Sequence, residues 1–268
     1  MRSQHFPMTK EAFDLMPRKL GWKHEYWDEQ VHISPRWQSV TVTFPVQPRP
    51  VQAAGTIRAV TADDEPQLVT GYIAAFEDSF DFCDWEPGKI QEAAREDIQK
   101  MLSGRRGRLL PASCVALDPQ AATKEEQLIG AALITESEGQ LPLLDIVFVA
   151  PRWHRQGIAT ALVATASNEM YAAGMKTLES RYLLGNAESR SWHRRFGFIE
   201  EPDLLLAKTY YHHAQYELHR REDLGDLFAG ERERLRAERD HWQARVDDLE
   251  QIAHQLGMET VMPGLRRS

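Results

Sequence analysis

Three apolar runs rich in β-branched residues lie next to one another in the middle of the chain: LLPASCVALD, LIGAALITES and LPLLDIVFVA. Runs of this length and composition that end at polar turn residues are typical of strands. Since consecutive strands with short connections usually pair as neighbours, they predict a three-stranded antiparallel meander.

Further elements are predicted on both sides of this meander by apolar periods of two and of 3.6 residues. In chain order they are a strand, two helices, then after the meander a helix, a strand and a helix: GTIRAV, QLVTGYIAAF, about 89–102, about 157–173, TLESRYLL and about 186–196. This order predicts an α/β (α+β) fold with a mixed central sheet flanked by helices.

The first fifty residues predict a small accessory unit. Thr9 precedes KEAFDLM in the position of a helix N-cap, and WKHEYWDEQVHIS predicts a hairpin that turns near Asp28. The segment QSVTVTFPV predicts a further strand. We hypothesise that it occupies an edge of the central sheet.

Domain boundaries follow from a proline cluster at positions 45, 48 and 50, which predicts a linker. We therefore expect an N-terminal unit over 1–50, a core over 51–202 and a C-terminal helical extension over 203–268.

The C-terminal extension carries an apolar residue every seven positions: Phe228, Leu235, Trp242, Leu249 and Leu256. This pattern predicts an amphipathic helix, with Gly257 as its stop signal. Packing against its own chain is the favoured interpretation, because Arg232 and Arg239 would make a poor dimer seam. A homodimer through this helix stays open.

The composition is that of a soluble globular protein. The 268 residues are 42% hydrophobic and 27% charged, which excludes collagen-like and wholly disordered classes. A formal net charge of −8 argues against nonspecific binding to nucleic acid or to an anionic membrane. Cys83 and Cys114 lack metal-ligand spacing, so we expect no metal and a reducing, cytoplasmic setting.

The stretch DIVFVAPRWHRQGIATALVATA predicts an apolar strand, a tight turn and a helix. Backbone N–H groups of such a turn, together with the positive end of the helix, suit a phosphate or pyrophosphate. Gly157 allows close backbone approach, and Ala159 leaves room for a ligand. An ordinary strand-to-helix turn is the alternative.

Charge is distributed unevenly around this turn. Residues 151–198 hold seven basic and three acidic side chains, whereas residues 61–100 hold three basic and eleven acidic ones. The first region favours a polyanion and the second favours a cation. Chance clustering of surface charge is the alternative.

The strand LLDIVFVAP, the turn HRQGIATAL and the later NAESRSWHRRFGF together resemble the acetyl-CoA-binding core of the GNAT acetyltransferases. That family carries Q/R-x-x-G-x-G/A, then an asparagine, an amphipathic helix and Gly-Phe. The resemblance extends from about 56 to 198. It implies the acyl-CoA N-acyltransferase (GNAT) fold, with acetyl-CoA as cosubstrate.

The resemblance also implies a set of coenzyme contacts. The backbone amides of Arg155, Gln156, Gly157, Ile158, Ala159 and Thr160 would hold the pyrophosphate of coenzyme A. Phe148 and Val149 would offer main-chain hydrogen bonds to the pantetheine arm and polarise the acetyl carbonyl. Asn186 matches the family's asparagine, and a plain N-cap is its alternative.

Two positions depart from the family pattern. His154 stands where the family has Gln or Arg, so one phosphate contact is in doubt. His193 stands where the family often has a tyrosine that protonates the departing thiolate. Histidine can donate a proton near neutral pH, so His193 is the predicted general acid. A surface histidine without a role is the alternative.

Asp145 is the predicted general base. Strand alternation predicts that it shares a face with Val147 and Val149. The segment DIVFVA looks like the fourth strand of the histone-acetylating branch, where a glutamate at this position serves as base. An ion pair with an arginine is the equal alternative, and loop acids at 81, 84 and 86 are other candidates for the base.

These observations predict an N-acetyltransferase that moves an acetyl group from acetyl-CoA to a primary amine by direct attack in a ternary complex. The acidic region at 61–100 suggests a cationic acceptor, either a small molecule or a protein. Neither cysteine suits a nucleophilic role, which disfavours a ping-pong mechanism. The alternatives are a coenzyme A-binding regulatory module without catalysis and an interaction protein that acts through its C-terminal helix.

Overall fold

The computed structural model describes residues 2–52, 55–121, 127–225 and 227–256. Its contacts divide the chain into two compact units. The core unit comprises Met1–Ser3 and Trp37–Glu200, and the terminal unit comprises Gln4–Arg36 and Glu201–Ser268.

The secondary structure follows the predicted order. The strands are β1 (Gln4–Pro7), β2 (Trp22–Trp27), β3 (Gln30–Pro35), β4 (Ser39–Pro45), β5 (Thr56–Ala59), β6 (Arg108–Leu109), β7 (Cys114–Leu117), β8 (Leu128–Glu136), β9 (Leu143–Val149), β10 (Thr177–Leu183) and β11 (Ile199–Glu200). The helices are α1 (Lys10–Leu15), α2 (Glu65–Phe76), α3 (Pro87–Leu102), α4 (Ile158–Ala172), α5 (Ala187–Phe196), α6 (Leu204–Leu224) and α7 (Ala229–Gln255). Short 3₁₀ turns lie at Ala62–Asp64, Phe80–Phe82 and Pro151–Trp153.

A mixed sheet forms the centre of the core unit, in the order β11-β4-β10-β9-β8-β7-β5, with β6 paired to β8. Strands β7, β8 and β9 pair antiparallel as consecutive neighbours, which confirms the predicted meander. Strand β10 pairs parallel to β9, and α4 connects the two strands. The predicted fold class, a mixed sheet flanked by helices, is therefore confirmed.

Strand β4 lies inside this sheet, although the sequence places it in the predicted N-terminal unit. All seven of its residues pair with β10, from Ser39 opposite Leu183 to Pro45 opposite Thr177. The hypothesis that QSVTVTFPV joins the central sheet is thus confirmed. The strand is internal rather than at the edge, because β11 pairs with its other side.

The units of the structure consequently differ from the three consecutive segments expected from the sequence. The prolines after β4 do not mark a boundary, because the segment that holds them is fixed to α4 by hydrogen bonds. Asn168 bonds through its side chain to both backbone groups of Arg49, at 2.7 and 2.9 Å, and Ser167 donates to the Gln47 carbonyl at 2.9 Å. These side-chain hydrogen bonds hold the proline-containing segment within the core unit, which the composition of the segment does not reveal.

Helices cover both faces of the central sheet. On one face, Leu68 of α2 and Ile98 of α3 share a fully buried cluster with Leu133 of β8. On the other face, Leu162 of α4 comes so close to Gly130 of β8 that a Cβ there would lie 3.2 Å from Leu162 Cδ1. The same Cβ would lie 2.7 Å from the Phe148 carbonyl oxygen, so this position requires glycine.

The terminal unit contains a three-stranded sheet, β1-β3-β2, and the helices α1, α6 and α7. The predicted hairpin is confirmed, and its turn uses the positive φ angles of Asp28 and Glu29, 50° and 58°. Val31 is fully buried at the centre of this sheet. Thr9 caps α1, as predicted, by accepting from the Ala12 amide at 3.3 Å.

Helices α6 and α7 form an antiparallel pair. The Tyr210 and Trp242 rings lie 4.5 Å apart, and Arg221 near the end of α6 bonds to Glu231 near the start of α7. The heptad residue Leu235 is buried, in agreement with packing inside the chain. The end positions differ, since Phe228 and Leu256 are 80% and 69% exposed.

One sequence expectation for the C-terminal extension falls on residues that are not described. The expected stop at Gly257 lies outside the described residues. No helix among the described ranges has the length and apolar character needed to cross a membrane.

Candidate active site

The turn after β9 has the geometry expected of an anion site. Arg155 and Gly157 both adopt the left-handed conformation, with φ of 62° and 78°, immediately before α4 begins. The first amide that bonds within the helix is that of Ala161, which donates to the Gly157 carbonyl at 2.9 Å. The amides of residues 158–160 therefore have no partner within the helix, and the positive end of its dipole lies beside them.

Side chains of the turn brace it against the strand. His154 Nε2 lies 2.9 Å from the carbonyl oxygen of Val149, and Gln156 Nε2 donates to the Arg152 carbonyl at 3.3 Å. Because a carbonyl oxygen only accepts, His154 donates through Nε2. The residue that departs from the family pattern thus fixes the turn to the end of β9. Gly157 faces open space, since a Cβ at this position would have no atom of the described residues within 4 Å.

Strands β9 and β10 separate soon after they meet. Their parallel pairing comprises Leu143 opposite Glu179 and Leu144 opposite Ser180, although each strand has seven residues. We call the point of separation, at Leu144 and Ser180, the fork. Beyond it the main chain of Phe148 and Val149 follows the diverging half of β9, where the sequence predicts the pantetheine contacts.

Asp145 occupies a β-bulge at the fork. Leu133 pairs with Ile146 and Ile134 pairs with Leu144, so Asp145 is the extra residue on β9. A bulge reverses the alternation of side chains along a strand. The expectation that Asp145 shares a face with Val147 and Val149 is therefore wrong.

The carboxylate of Asp145 is enclosed by polar partners. Its side chain is 3% exposed, and Oδ1 lies 2.9 Å from Arg106 Nη2. Its other oxygen, Oδ2, accepts from Thr135 Oγ1 at 3.1 Å. Burial raises the pKa of Asp145, while Arg106 and the Thr135 hydroxyl oppose that rise. The ion pair weighed as an alternative is present, and the role of Asp145 as base stays a prediction.

A cavity of about 440 Å³ opens beside Asp145, on the face of the sheet that carries α2 and α3. It lies along the N-terminal halves of β9 and β10, whereas the turn at 155–157 follows the C-terminal end of β9. Charged, polar and apolar side chains line it: Arg106, Thr135, Ser137, Gln140, Leu141, Leu143, Asp145, Glu179 and Arg181.

His193 lies at the fork on the opposite side from this cavity. The residue is 3% exposed, its Nε2 lies 2.9 Å from Ser180 Oγ, and its Nδ1 lies 2.8 Å from the Ser189 carbonyl oxygen. We assign the ring hydrogen to Nδ1, because the carbonyl can only accept. Burial lowers the pKa of His193 to about 4. At neutral pH the ring then accepts from Ser180, which does not favour its predicted role as proton donor.

Comparison with known proteins agrees with this arrangement. Residues 115–200 match a family model described as an acetyltransferase (GNAT) domain. The chain carries an acetyltransferase (GNAT) domain over residues 115–200. No curated relative matches the chain.

Solved structures to which the chain is similar include GNAT proteins. The PaiA N-acetyltransferase of Thermoplasma acidophilum, in complex with coenzyme A, is 17% identical, with 56% of this chain and 92% of that chain covered and a TM-score of 0.45. A GCN5-related N-acetyltransferase of Sphaerobacter thermophilus is 18% identical, with 61% and 48% covered and a TM-score of 0.42. The aminoglycoside N-acetyltransferase AAC(6')-Iy, in complex with CoA, is 18% identical, with 57% and 93% covered and a TM-score of 0.41. At these identities and TM-scores the likeness does not identify a substrate.

Asn186 of the GNAT domain caps α5. Its Oδ1 accepts from the Ser189 amide at 3.0 Å, and its Nδ2 donates to Asp81 Oδ2 at 2.6 Å. The N-cap interpretation is confirmed, and the coenzyme contact stays a prediction. The loop that holds Asp81 lies tightly against the end of β10, since a Cβ on Gly185 would come 2.2 Å from the Phe80 ring.

The other candidate bases in this loop have local partners or lie apart from the cavity. Burial raises the pKa of Asp81, which bonds to Asn186. Asp84 accepts from the Ser3 amide at 2.7 Å. Asp81, Asp84 and Glu86 are not among the described residues that line the cavity.

The cysteines are unsuited to a covalent intermediate. Both are buried and free, and burial raises the pKa of the Cys114 thiol to about 12. Burial and the neighbouring Asp84 carboxylate also raise the pKa of the Cys83 thiol. Thiols of this kind are poor nucleophiles at neutral pH.

Sequence reasoning missed two residues that the structure brings to the site. Arg106 connects Asp145 to Asp97 of α3, with both N···O distances at 2.9 Å, and Ser180 connects His193 to the fork. The run Arg105-Arg106-Gly107-Arg108 was a signal for the first, because a carboxylate on an apolar strand needs a basic partner. Ser180 carried no comparable signal.

Proposed function

We propose that the GNAT domain transfers an acetyl group from acetyl-CoA to a primary amine by direct attack in a ternary complex. The observation that carries this proposal is the arrangement along β9. A turn with the geometry expected of an anion site follows its C-terminal end, and a buried carboxylate faces a cavity at its other half. Asp145 precedes Val149 by four residues, roughly 13 Å of extended chain. Acetyl-CoA and the amine would therefore reach the fork from opposite ends of β9.

On the donor side, the amides of residues 155–160 would bind the pyrophosphate of coenzyme A. The main chain of Phe148 and Val149 would bind the pantetheine arm. One of their N–H groups would polarise the acetyl carbonyl as negative charge develops on its oxygen. The polarising groups would be backbone dipoles fixed by the strand and by His154, whose ring anchors the turn.

On the acceptor side, Asp145 would take one proton from the ammonium group, directly or through water. The free amine nitrogen then attacks the thioester carbonyl carbon, so that a C–N bond forms and the C–S bond breaks. The second proton leaves the nitrogen as the amide forms, and the departing thiolate gains a proton. A carboxylate whose pKa is raised by burial is a better proton acceptor than one in water.

His193 is better suited to a positioning role than to that of the acid. Its Nε2 holds the Ser180 hydroxyl at the fork, within 3.2 Å of the Leu144 carbonyl oxygen. The support for this role is the pair of contacts on the imidazole ring and its low pKa.

Calorimetric titration with acetyl-CoA tests the donor site. We expect binding near micromolar for the wild type and none for Gly157→Glu, because the new carboxylate would repel the pyrophosphate. Gly174→Glu is a matched control, since Gly174 has a similar φ of 80°, also faces open space and follows the opposite end of α4. A folded wild type that does not bind acetyl-CoA would overturn the proposal.

A coenzyme A-binding module without catalysis is the second candidate. The neutral, buried imidazole of His193 favours it, because the usual acid of the family is then lacking. Thiol release from acetyl-CoA in the presence of a panel of amines separates the two. Binding with release confirms transfer, whereas binding without release from any amine favours the regulatory module.

A further inference from the structure

The charges that line the cavity balance one another. Asp145 pairs with Arg106, and Glu179 pairs with Arg181, with N···O distances of 2.9 and 2.7 Å. Both carboxylates of the lining therefore have an arginine of the same lining as partner. A polycation binds where carboxylates outnumber cations, and this cavity lacks that excess.

The acidic region at 61–100 does not supply the excess. Asp64 is buried and bonded to Arg58 at 2.6 Å, Glu96 pairs with Lys100 at 2.7 Å, and Asp97 pairs with Arg106 at 2.9 Å. No residue of that region is among the described residues that line the cavity. The sequence-based expectation of a cationic acceptor thus gains no support from the acceptor side of the sheet.

Arg181 can bind an anion in addition to Glu179. Its Nε and Nη2 both donate to Glu179 Oε1, at 3.1 and 2.7 Å. That geometry leaves the two N–H groups of Nη1 without a partner among the described residues. The side chain is 54% exposed at the mouth of the cavity, whereas that of Glu179 is 20% exposed. A guanidinium with unused donors at the entrance of a polar cavity suits a carboxylate.

Asp145 and Arg181 both line the cavity. The Arg181 charge is close enough to lower the pKa of the buried Asp145 carboxyl, although desolvation has the larger, opposite effect. Ser137, Thr135 and Gln140 supply neutral hydrogen-bonding groups to the same lining. A volume of about 440 Å³ is the size of a small-molecule pocket.

We infer that the acceptor is a small amine that also bears a carboxylate, an amino-acid-like molecule whose amine lies near Asp145 and whose carboxylate binds Arg181. This inference rests on the proposed acetyl transfer. The reaction is the one written above, in which the acceptor's C–N bond forms, the thioester C–S bond breaks and the carboxylate takes no part.

The test compares L-amino acids with their amides, and with spermidine as a polycation, in a thiol-release assay with acetyl-CoA. We expect at least one amino acid to be acetylated with kcat/KM ten-fold or more above that of its amide. Arg181→Gln should remove this preference through KM, and Arg181→Lys should restore part of it. Arg195→Gln is the control, because Arg195 is exposed on α5 and bonds to its own helix at Ser191.

Preference for the amides or for spermidine, or an unchanged preference in Arg181→Gln, would overturn the inference while acetyl transfer stands. If no amine is acetylated but acetyl-CoA binds, the CoA-loaded protein is titrated with the same amino acids. Binding that Arg181→Gln weakens at least ten-fold supports the inference although the proposed chemistry fails. No binding of any amino acid overturns it.

Discussion

The Asp145 carboxylate lies 2.9 Å from the Arg106 guanidinium and belongs to the residue at which β9 bulges away from regular pairing with β8. The bulge turns the carboxylate toward the cavity, and the arginine opposes the rise in its pKa that burial causes. Removal of either partner should therefore change the pH dependence of the reaction as well as its rate.

Asp145→Asn should lower kcat/KM by about 10²-fold or more, because a positioned base contributes about 10²–10⁴. The amide keeps the volume of the side chain and can still accept from Thr135, so the fold should be retained. The measurement is initial-rate kinetics between pH 5 and 9 with an accepted amine. Asp84→Asn is the control, since Asp84 is exposed and bonds to Ser3. If Asp145→Asn retains the acidic limb of the profile, Asp145 is not the base.

Arg106→Gln should move the acidic limb of the kcat/KM profile to higher pH. The pKa of Asp145 is already raised by burial, and Arg106 lowers it. Without that charge the pKa rises further, so the carboxyl becomes protonated and unable to accept at a higher pH. Arg108→Gln is the control, because Arg108 is 68% exposed and pairs with Glu136 on the neighbouring strand. An unmoved limb would show that Arg106 does not set this pKa.

Much of the fold was predictable because it rests on local pattern. The meander, the helix after Asp203 and the hairpin at Asp28 each follow from apolar periodicity and turn residues. The placement of β4 was predictable only as a hypothesis, since a strand pattern does not say which sheet it joins. The division into units was not predictable, because it depends on hydrogen bonds between residues far apart in sequence, such as that of Asn168 to Arg49.

In the candidate site, too, the features that depend on neighbouring residues were predictable and those that depend on tertiary packing were not. The turn at Gly157 and the cap at Asn186 depend on neighbouring residues, so the sequence indicates them directly. The orientation of Asp145 depends on a one-residue bulge, which alternation cannot reveal. The burial of His193 depends on the packing of α5 against β10, and only the structure shows that both ring nitrogens have partners.

His193 should make the free energy of unfolding depend on pH between about 6.5 and 4. Its pKa is lowered to about 4 in the folded protein, so the unfolded chain binds a proton first as the pH falls. The stabilisation is present above pH 6.5 and is lost as the pH approaches 4, amounting to ~3 kcal/mol. Urea unfolding across this range measures it.

The matched variants for that measurement are His193→Gln and His219→Gln. The first removes the buried titrating group, so its stability should depend less on pH than that of the wild type by about the same amount. The second changes an exposed histidine of α6 and should leave the wild-type dependence intact. Parallel curves for the wild type and His193→Gln would contradict the low pKa.

Phe44→Ala should strongly destabilise the core unit, although Phe44 lies in the segment that the sequence assigns to an accessory unit. The residue is fully buried on β4, and its ring lies 5.1 Å from that of Phe196 and 5.4 Å from that of Phe198. Arg49 also lies over this ring, at 4.7 Å from its centre. Truncation of a buried phenylalanine costs about 3–5 kcal/mol.

Phe228→Ala is the control, because Phe228 is 80% exposed. If both variants unfold at the wild-type urea midpoint, β4 does not contribute to the stability of the core unit. A lower midpoint for Phe44→Ala alone means that β4 stabilises the core unit, so that a fragment starting at residue 51 lacks a stabilising strand.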